Sequence, residues 1–110
     1  MKVLLDENLD HRLKIHIPNS FTVFEMGWSS LKNGELLKQL YIEKFSFLLT
    51  ADLNMPYQQN EKKIIDAGMT VVVLQGKNEI AEHLKHISQI NELINSADTP
   101  KGFIVLNYKK

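Results

Sequence analysis

No cysteine occurs anywhere in the 110 residues. That excludes a disulfide framework and any thiolate metal site, and it agrees with a reducing compartment. Arginine is scarce too: Arg12 stands alone and every other basic residue is Lys. Thirteen basic side chains face thirteen acidic ones, for a formal net charge of zero. A protein that grips long nucleic acid without sequence preference usually carries a basic surplus, so any nucleic-acid contact here has to be local or completed by a partner. No apolar run approaches the ~20 residues of a membrane span. The opening "MKVLLDENLD" meets an acid at Asp6, too soon for the apolar region of a signal peptide, and a cytoplasmic location is expected. There is no internal repeat, no linker, no glycine-rich phosphate loop and no nucleophile motif. The length predicts a single domain spanning 1–110.

What is present is a set of short apolar runs. "KVLLD" (2–6), "TVFEM" (22–26), "SFLLTA" (46–51), "TVVVL" (70–74) and "FIVLN" (103–107) read as strands. Three of them lack in–out alternation, which predicts a sheet covered on both faces. Helical stripes fall between them. Leu9, Leu13 and Ile17 form one; Leu36, Leu37, Leu40 and Tyr41 form another. Ile80, Leu84, Ile87 and Ile94 form a longer third, with Glu79, Glu82, His83 and Lys85 largely off it. Ile64 and Ile65 fall on a short helix that Gly68 terminates, and "NSADTPKG" (95–102) is a loop by composition. Strands alternating with helices mean βαβ units with right-handed crossovers. The expected fold is a three-layer α/β/α sandwich around a mostly parallel sheet of about five strands.

In such sheets, sites form outside the carboxyl ends of the strands, at the topological switch point. The first strand ends in Asp6, Glu7 and Asn8; the third ends in Asp52, Leu53 and Asn54. In a 2-1-3-4-5 order these strands are neighbours and their acids meet. "KNGELL" starts the second helix and puts Glu35 in its first turn, at the same end of the sheet. Two carboxylates ~4 Å apart repel by roughly 4 kcal/mol at an effective dielectric of about 20. A fold tolerates this when one acid is protonated or a cation lies between them. Mg²⁺ and Mn²⁺ prefer oxygen ligands, and Mg²⁺ takes one or two carboxylates with water and substrate phosphate. The competing explanation is helix capping, for which Asp and Asn are favoured after a strand. It accounts for one such acid as well as a site does, and less well for two on adjacent strands.

His83 and His86, three apart on a helix, have ligand-pair spacing, but an exposed helix face explains them better. His11 and His16, five apart, do not share a face. Trp28, the single Trp, fits packing under a loop better than a base-stacking platform. Tyr57, Gln58, Gln59 and Asn60 follow Asp52. Their amides suit phosphate oxygens or bases, or the loop's own backbone. Lys32, Lys62, Lys63 and Arg12 suit phosphate neutralisation around this rim, or need no function at all.

Two family resemblances bear on the acids. "DLNMP" (52–56) and "DEN" resemble the phosphoacceptor stretch and acidic pair of response-regulator receiver domains, with Asp52 as acceptor. The likeness stops there. "YQQN" stands where receivers continue into a glycine-containing turn. "VVVLQGKN" supplies no Ser or Thr after the fourth strand, and "NYKK" replaces the Lys-Pro after the fifth. The second resemblance runs along most of the chain. "KVLLDENLDHRLK" (2–14), "FEMGWSSLKNGELL" (24–37) and "LLTADLNMPYQQN" (48–60), followed by "TVVVL", are similar in order and content to a family of small stand-alone PIN-like proteins. These are predicted metal-dependent ribonucleases related to the toxins of bacterial toxin–antitoxin pairs. The chain departs from the family at Asp10, where relatives often carry Pro, and at Asn33, near which many carry an acid.

The PIN-like resemblance implies a Mg²⁺- or Mn²⁺-dependent endoribonuclease in which Asp6, Asp52 and Glu35 are metal ligands and catalytic residues. The helix ligand is left open between Glu35, position 33 and none. Asn8, Asn54, Tyr57, Gln58, Gln59, Arg12 and Lys32 would contact substrate. RNA would be the substrate and an antitoxin protein the partner, and a homodimer is a further expected assembly. Two alternatives remain beside it: a catalytically inactive PIN-like module that binds a protein, and a receiver-like phosphoacceptor.

Overall fold

Five parallel strands lie in the order β2-β1-β3-β4-β5: β1 Lys2–Leu5, β2 Ser20–Thr22, β3 Phe45–Thr50, β4 Thr70–Gln75 and β5 Gly102–Asn107. The computed structural model describes residues 1–108, without the side chains of Tyr57 and Gln58. Helices α1 (Asn33–Ile42), α2 (Met55–Gln58) and α3 (Glu61–Asp66) follow β2 and β3, and α4 (Ile80–Lys85) and α5 (Ile87–Asn95) follow β4. A 3-10 segment, His11–His16, joins β1 to β2. The architecture is an α/β/α sandwich. Among the described residues no helix is long and apolar enough to cross a membrane.

The two core layers explain the continuous apolar strands. Val3, Leu5, Phe47, Leu49, Val72 and Leu74 face one side, where they meet Leu9, Leu13 and Ile17 of the 3-10 region and Ile90 and Ile94 of α5. Leu4, Leu48, Val71 and Val73 face the other, against Leu36, Leu37 and Leu40 of α1 and Ile64 of α3. With both faces covered, each position of a central strand can be apolar. Each fully buried Leu, Ile or Val contributes roughly 1.5–3 kcal/mol. β1 and β3 pair in parallel with Leu4 opposite Leu48 and Leu5 opposite Leu49, so the ends of these strands sit side by side as their acids require.

The expected element boundaries need four corrections. The second strand ends at Thr22 instead of running over 22–26. The Thr22 N–H donates to Glu25 Oε1 (2.7 Å) and the Glu25 N–H donates to Thr22 Oγ1 (3.1 Å), a reciprocal lock that turns the chain at once. Leu9, Leu13 and Ile17 are buried as one stripe, but the helix carrying the middle of it is 3-10. Tyr41 closes the second stripe in sequence yet is 61% exposed. The third stripe is divided between two helices that meet at His86. Gly68, with φ +73°, ends the α3 region in the left-handed conformation as expected.

Crossover hand is the other departure. The 3-10 segment covers one face while the chain steps from β1 to β2. α1 and α3 cover the opposite face while it steps the other way, so these three connections share one hand. α4 and α5 continue in the direction of the β3-to-β4 step but cover the first face, so the β4-to-β5 connection has the opposite hand. Uniform right-handedness therefore does not hold. As a result α3 packs on β4 and β5 on one face, while α4 and α5 join the 3-10 segment on the other.

Candidate functional site

The carboxyl ends of β1 and β3 are tied together by one hydroxyl. Thr50, fully buried at the end of β3, donates its O–H to Asp6 Oδ2 (2.8 Å). Thr50 Oγ1 also accepts from Asn8 Nδ2 (3.2 Å) and from the Asp52 N–H (3.1 Å). A threonine hydroxyl has one donor and two acceptor positions, and all three are used. Asn8 returns the contact, its Oδ1 accepting from the Ala51 N–H (3.1 Å). Asp6, Asn8 and Asp52 are thus gathered by the residue two before Asp52.

Asp6 is 8% exposed. Burial pushes its carboxyl above the ordinary carboxylate range. The bonds from Thr50 and from the Glu7 N–H pull it back down, and the negative charges of Glu7 and Asp52 push it up again. The acids of the two strand ends therefore feel each other, as their adjacency demands. Asp6 also walls a cavity of about 320 Å³ whose lining includes Glu7, His11, Thr22, Phe24 and Ser29. His11, which carries little by spacing alone, belongs to the surroundings of the acid.

Asp52 combines both roles weighed for it. Its Oδ1 accepts from the Asn54 N–H (2.9 Å), a local turn of the capping kind, while its backbone is held at the shared hydroxyl. Asn54 is exposed on that turn. Glu35 is at the same end of the sheet but exposed, its Oε1 accepting from the Lys32 N–H (3.0 Å), half of a capping box. Asn33 opens α1. Among the described residues no three Asp, Glu or His side chains are grouped to hold a metal ion. The Asp6 carboxylate and the Asp52 backbone thus meet at the Thr50 hydroxyl, and among the described residues Glu35 does not complete a cluster with them.

The remaining candidates scatter. Arg12 is turned onto Asp10 by an ion pair (2.6 Å), and Arg12 holds the Asp10 carboxyl well below the usual range through its hydrogen bonds. Lys32 is exposed. Gln59 lines a separate groove between α1 and α3. The side chains of Tyr57 and Gln58 lie outside the described residues. Asn60 caps α3 on the Lys62 N–H (3.0 Å), and Lys62 pairs with Asp66 (3.0 Å). Trp28 packs edge-on against Phe45, ring centroids 5.7 Å apart, so it serves the core.

A polar chain that spacing does not reveal runs inward from the same end. Asn78, just past β4, donates Nδ2–H to the Asn8 carbonyl (2.8 Å). Its Oδ1 then faces His83 Nε2 (2.8 Å), and His83 Nδ1 meets the Tyr108 hydroxyl (2.7 Å). An amide oxygen only accepts, so in the neutral ring Nε2 carries the proton and Nδ1 accepts from Tyr108. Far from lying on an exposed face, His83 is 1% exposed. Burial lowers its pKa; the Glu82 charge opposes this, and that of His86 adds to it. The His86 ring stacks on Tyr108 at 4.1 Å. Gly76 leaves room for that tyrosine, since a Cβ there would come within 2.7 Å of its ring. One sequence signal existed: His83 is three after Ile80 and four before Ile87, which puts it on the edge of the apolar stripe.

Compared with known proteins, the chain matches no protein-family model, no curated protein and no solved structure.

Proposed function

We propose that the chain is a divalent-cation-dependent phosphodiesterase acting on RNA, with a PIN-like fold and Asp6 and Asp52 as its central pair. The observation that carries this reading is the Thr50 hydroxyl, which binds the Asp6 carboxylate and the Asp52 backbone together at the ends of adjacent parallel strands. Like charges so placed, one of them buried and pushed towards neutrality by its surroundings, suit a cation. The donor set is carboxylate oxygen, which fits Mg²⁺ or Mn²⁺ with water and phosphate filling the other positions. Such an ion supplies an activated water and stabilises charge on the phosphate. Asp6 and Asp52 would hold it. Thr50 would keep Asp6 aimed, with Asn8 bracing the two loops. The cavity beside Asp6 would admit the substrate, with Glu35 and Asn54 assisting from the same end of the sheet. On this reading an antitoxin protein and a second copy of the chain are the expected partners.

A specific observation favours a second reading. Glu35 is engaged in capping α1, and among the described residues no third ligand joins the pair, as in a module that binds a partner without turnover. Cleavage of single-stranded RNA in Mn²⁺ separates the two. The nuclease reading expects cleavage by the native protein and none by Asp6→Asn or Asp52→Asn, each nearly isosteric. Cleavage at an unchanged rate in both variants would mark a contaminating ribonuclease and overturn it.

A further inference from the structure

A second concavity lies apart from the acids. It is a groove of about 540 Å³ between α1 and α3. Two stripes at helical spacing face each other across it: Gly34, Leu37, Lys38 and Tyr41 from α1, and Asn60, Lys63, Ile64 and Ala67 from the α3 region. The floor is apolar, with Leu37 and Ile64 nearly fully buried. The rim is cationic. Lys38 and Lys63 are exposed, and neither is in any ion pair found among the described residues. The one acid in the lining, Asp66, is already neutralised by Lys62 at 3.0 Å. Tyr41 adds an exposed aromatic ring.

Apolar floor, aromatic ring and two unneutralised lysines together match one ligand chemistry, a planar base carrying phosphate. Bases stack on exposed aromatic faces, and lysines neutralise phosphates. The groove also has the right heading. The α1 N-terminus and the 59–60 turn lie at the carboxyl end of the sheet, and that turn leaves the loop begun by Asp52. From Gly34 to Tyr41 the groove descends about 10 Å at the helical rise of ~1.5 Å per residue. We propose that this groove is a binding track for single-stranded RNA, in which Lys38 and Lys63 contact phosphates and Tyr41 stacks an unpaired base leading from the Asp6–Asp52 pair. The proposal rests on the nuclease reading for its direction but is tested without it.

The test is fluorescence anisotropy with a short labelled oligoadenylate RNA and the full chain, without divalent ions so that no cleavage intervenes. Each single-strand phosphate contact adds about 0.7 to the slope of log affinity against log salt. Lys38→Gln with Lys63→Gln should therefore flatten the slope by about 1.4. Tyr41→Ala should weaken binding about tenfold, from the loss of one stacked base, leave the slope alone, and be rescued by Tyr41→Phe. All three positions are exposed, so melting temperatures should be unchanged. An unchanged slope in the lysine pair, or no binding by the native chain, would overturn the track. If these effects appear but Mn²⁺ gives no Asp-dependent cleavage, the track stands and the nuclease reading falls. Asp-dependent cleavage with unaltered binding in the groove variants gives the reverse.

Discussion

Removing a single oxygen from Tyr108 tests the buried network that reaches the candidate site. Tyr108→Phe keeps the ring, so its stacking on His86 and its fit over Gly76 survive. What goes is the O–H that His83 Nδ1 accepts at 2.7 Å. Because His83 is 1% exposed, water cannot take over, and an unsatisfied buried acceptor costs roughly 1–3 kcal/mol. Shifting the proton to Nδ1 gives no escape, because Nε2 would then face the Asn78 oxygen with no hydrogen between them. Turning the Asn78 amide to compensate would break its bond to the Asn8 carbonyl. At about 4 °C per kcal/mol for a chain of this length, the melting temperature should fall by roughly 4–12 °C. Urea unfolding should show a lower midpoint at an unchanged m-value. A variant as stable as the native protein would mean that the Tyr108–His83–Asn78 chain does not exist as described.

Two other predictions follow from buried titrating groups. The folded pKa of His83 is depressed, so its neutral form supports the fold fully above the unfolded value of about 6.5, and that support is lost as pH falls through the folded value. A ¹⁵N titration should show the Nε2–H tautomer and a midpoint below the ordinary imidazole value of about 6.5; a midpoint at that value would contradict the burial argument. Asp6 has the opposite sign: its folded pKa is raised, so its contribution is complete below the unfolded value and is lost as pH rises through the folded one. Without divalent ions, Asp6→Asn should therefore be as stable as the native chain at neutral pH or more so, and that advantage should vanish in acid. A strongly destabilised variant would mean that the Thr50 and Glu7 hydrogen bonds outweigh the buried charge.

Much of this arrangement was legible in residue order. β3 and β4 announce themselves because burial on both faces makes Phe47–Leu49 and Val71–Leu74 continuous apolar runs, and runs that end in Asp6 and Asp52 place their acids at one edge once the strands are neighbours. The second strand was misplaced because "TVFEM" has strand composition, while the Thr22–Glu25 lock that turns it is a side-chain contact. The long helical stripe hid a break at His86, since apolar periodicity survives a bend between two helices on the same face. The role of Thr50 is not legible in spacing, because it lies in three side-chain hydrogen bonds, to Asp6, from Asn8 and from the Asp52 N–H. His83 escaped because its partner Tyr108 is 25 residues away. The groove between α1 and α3 depends on the gap left between two helices, which periodicity alone does not measure.

The central claim is that Asp6 and Asp52 form one cation site, and thermal unfolding in Mn²⁺ tests it most directly. A cation that binds the native state alone adds about 2.7 kcal/mol at a hundred times its dissociation constant. The native chain should melt progressively higher as Mn²⁺ is raised. Asp6→Asn and Asp52→Asn should lose most of the shift, and Glu92→Gln, on α5 away from the strand ends, should keep it. No shift in the native chain, or equal shifts in all four proteins, would contradict the site.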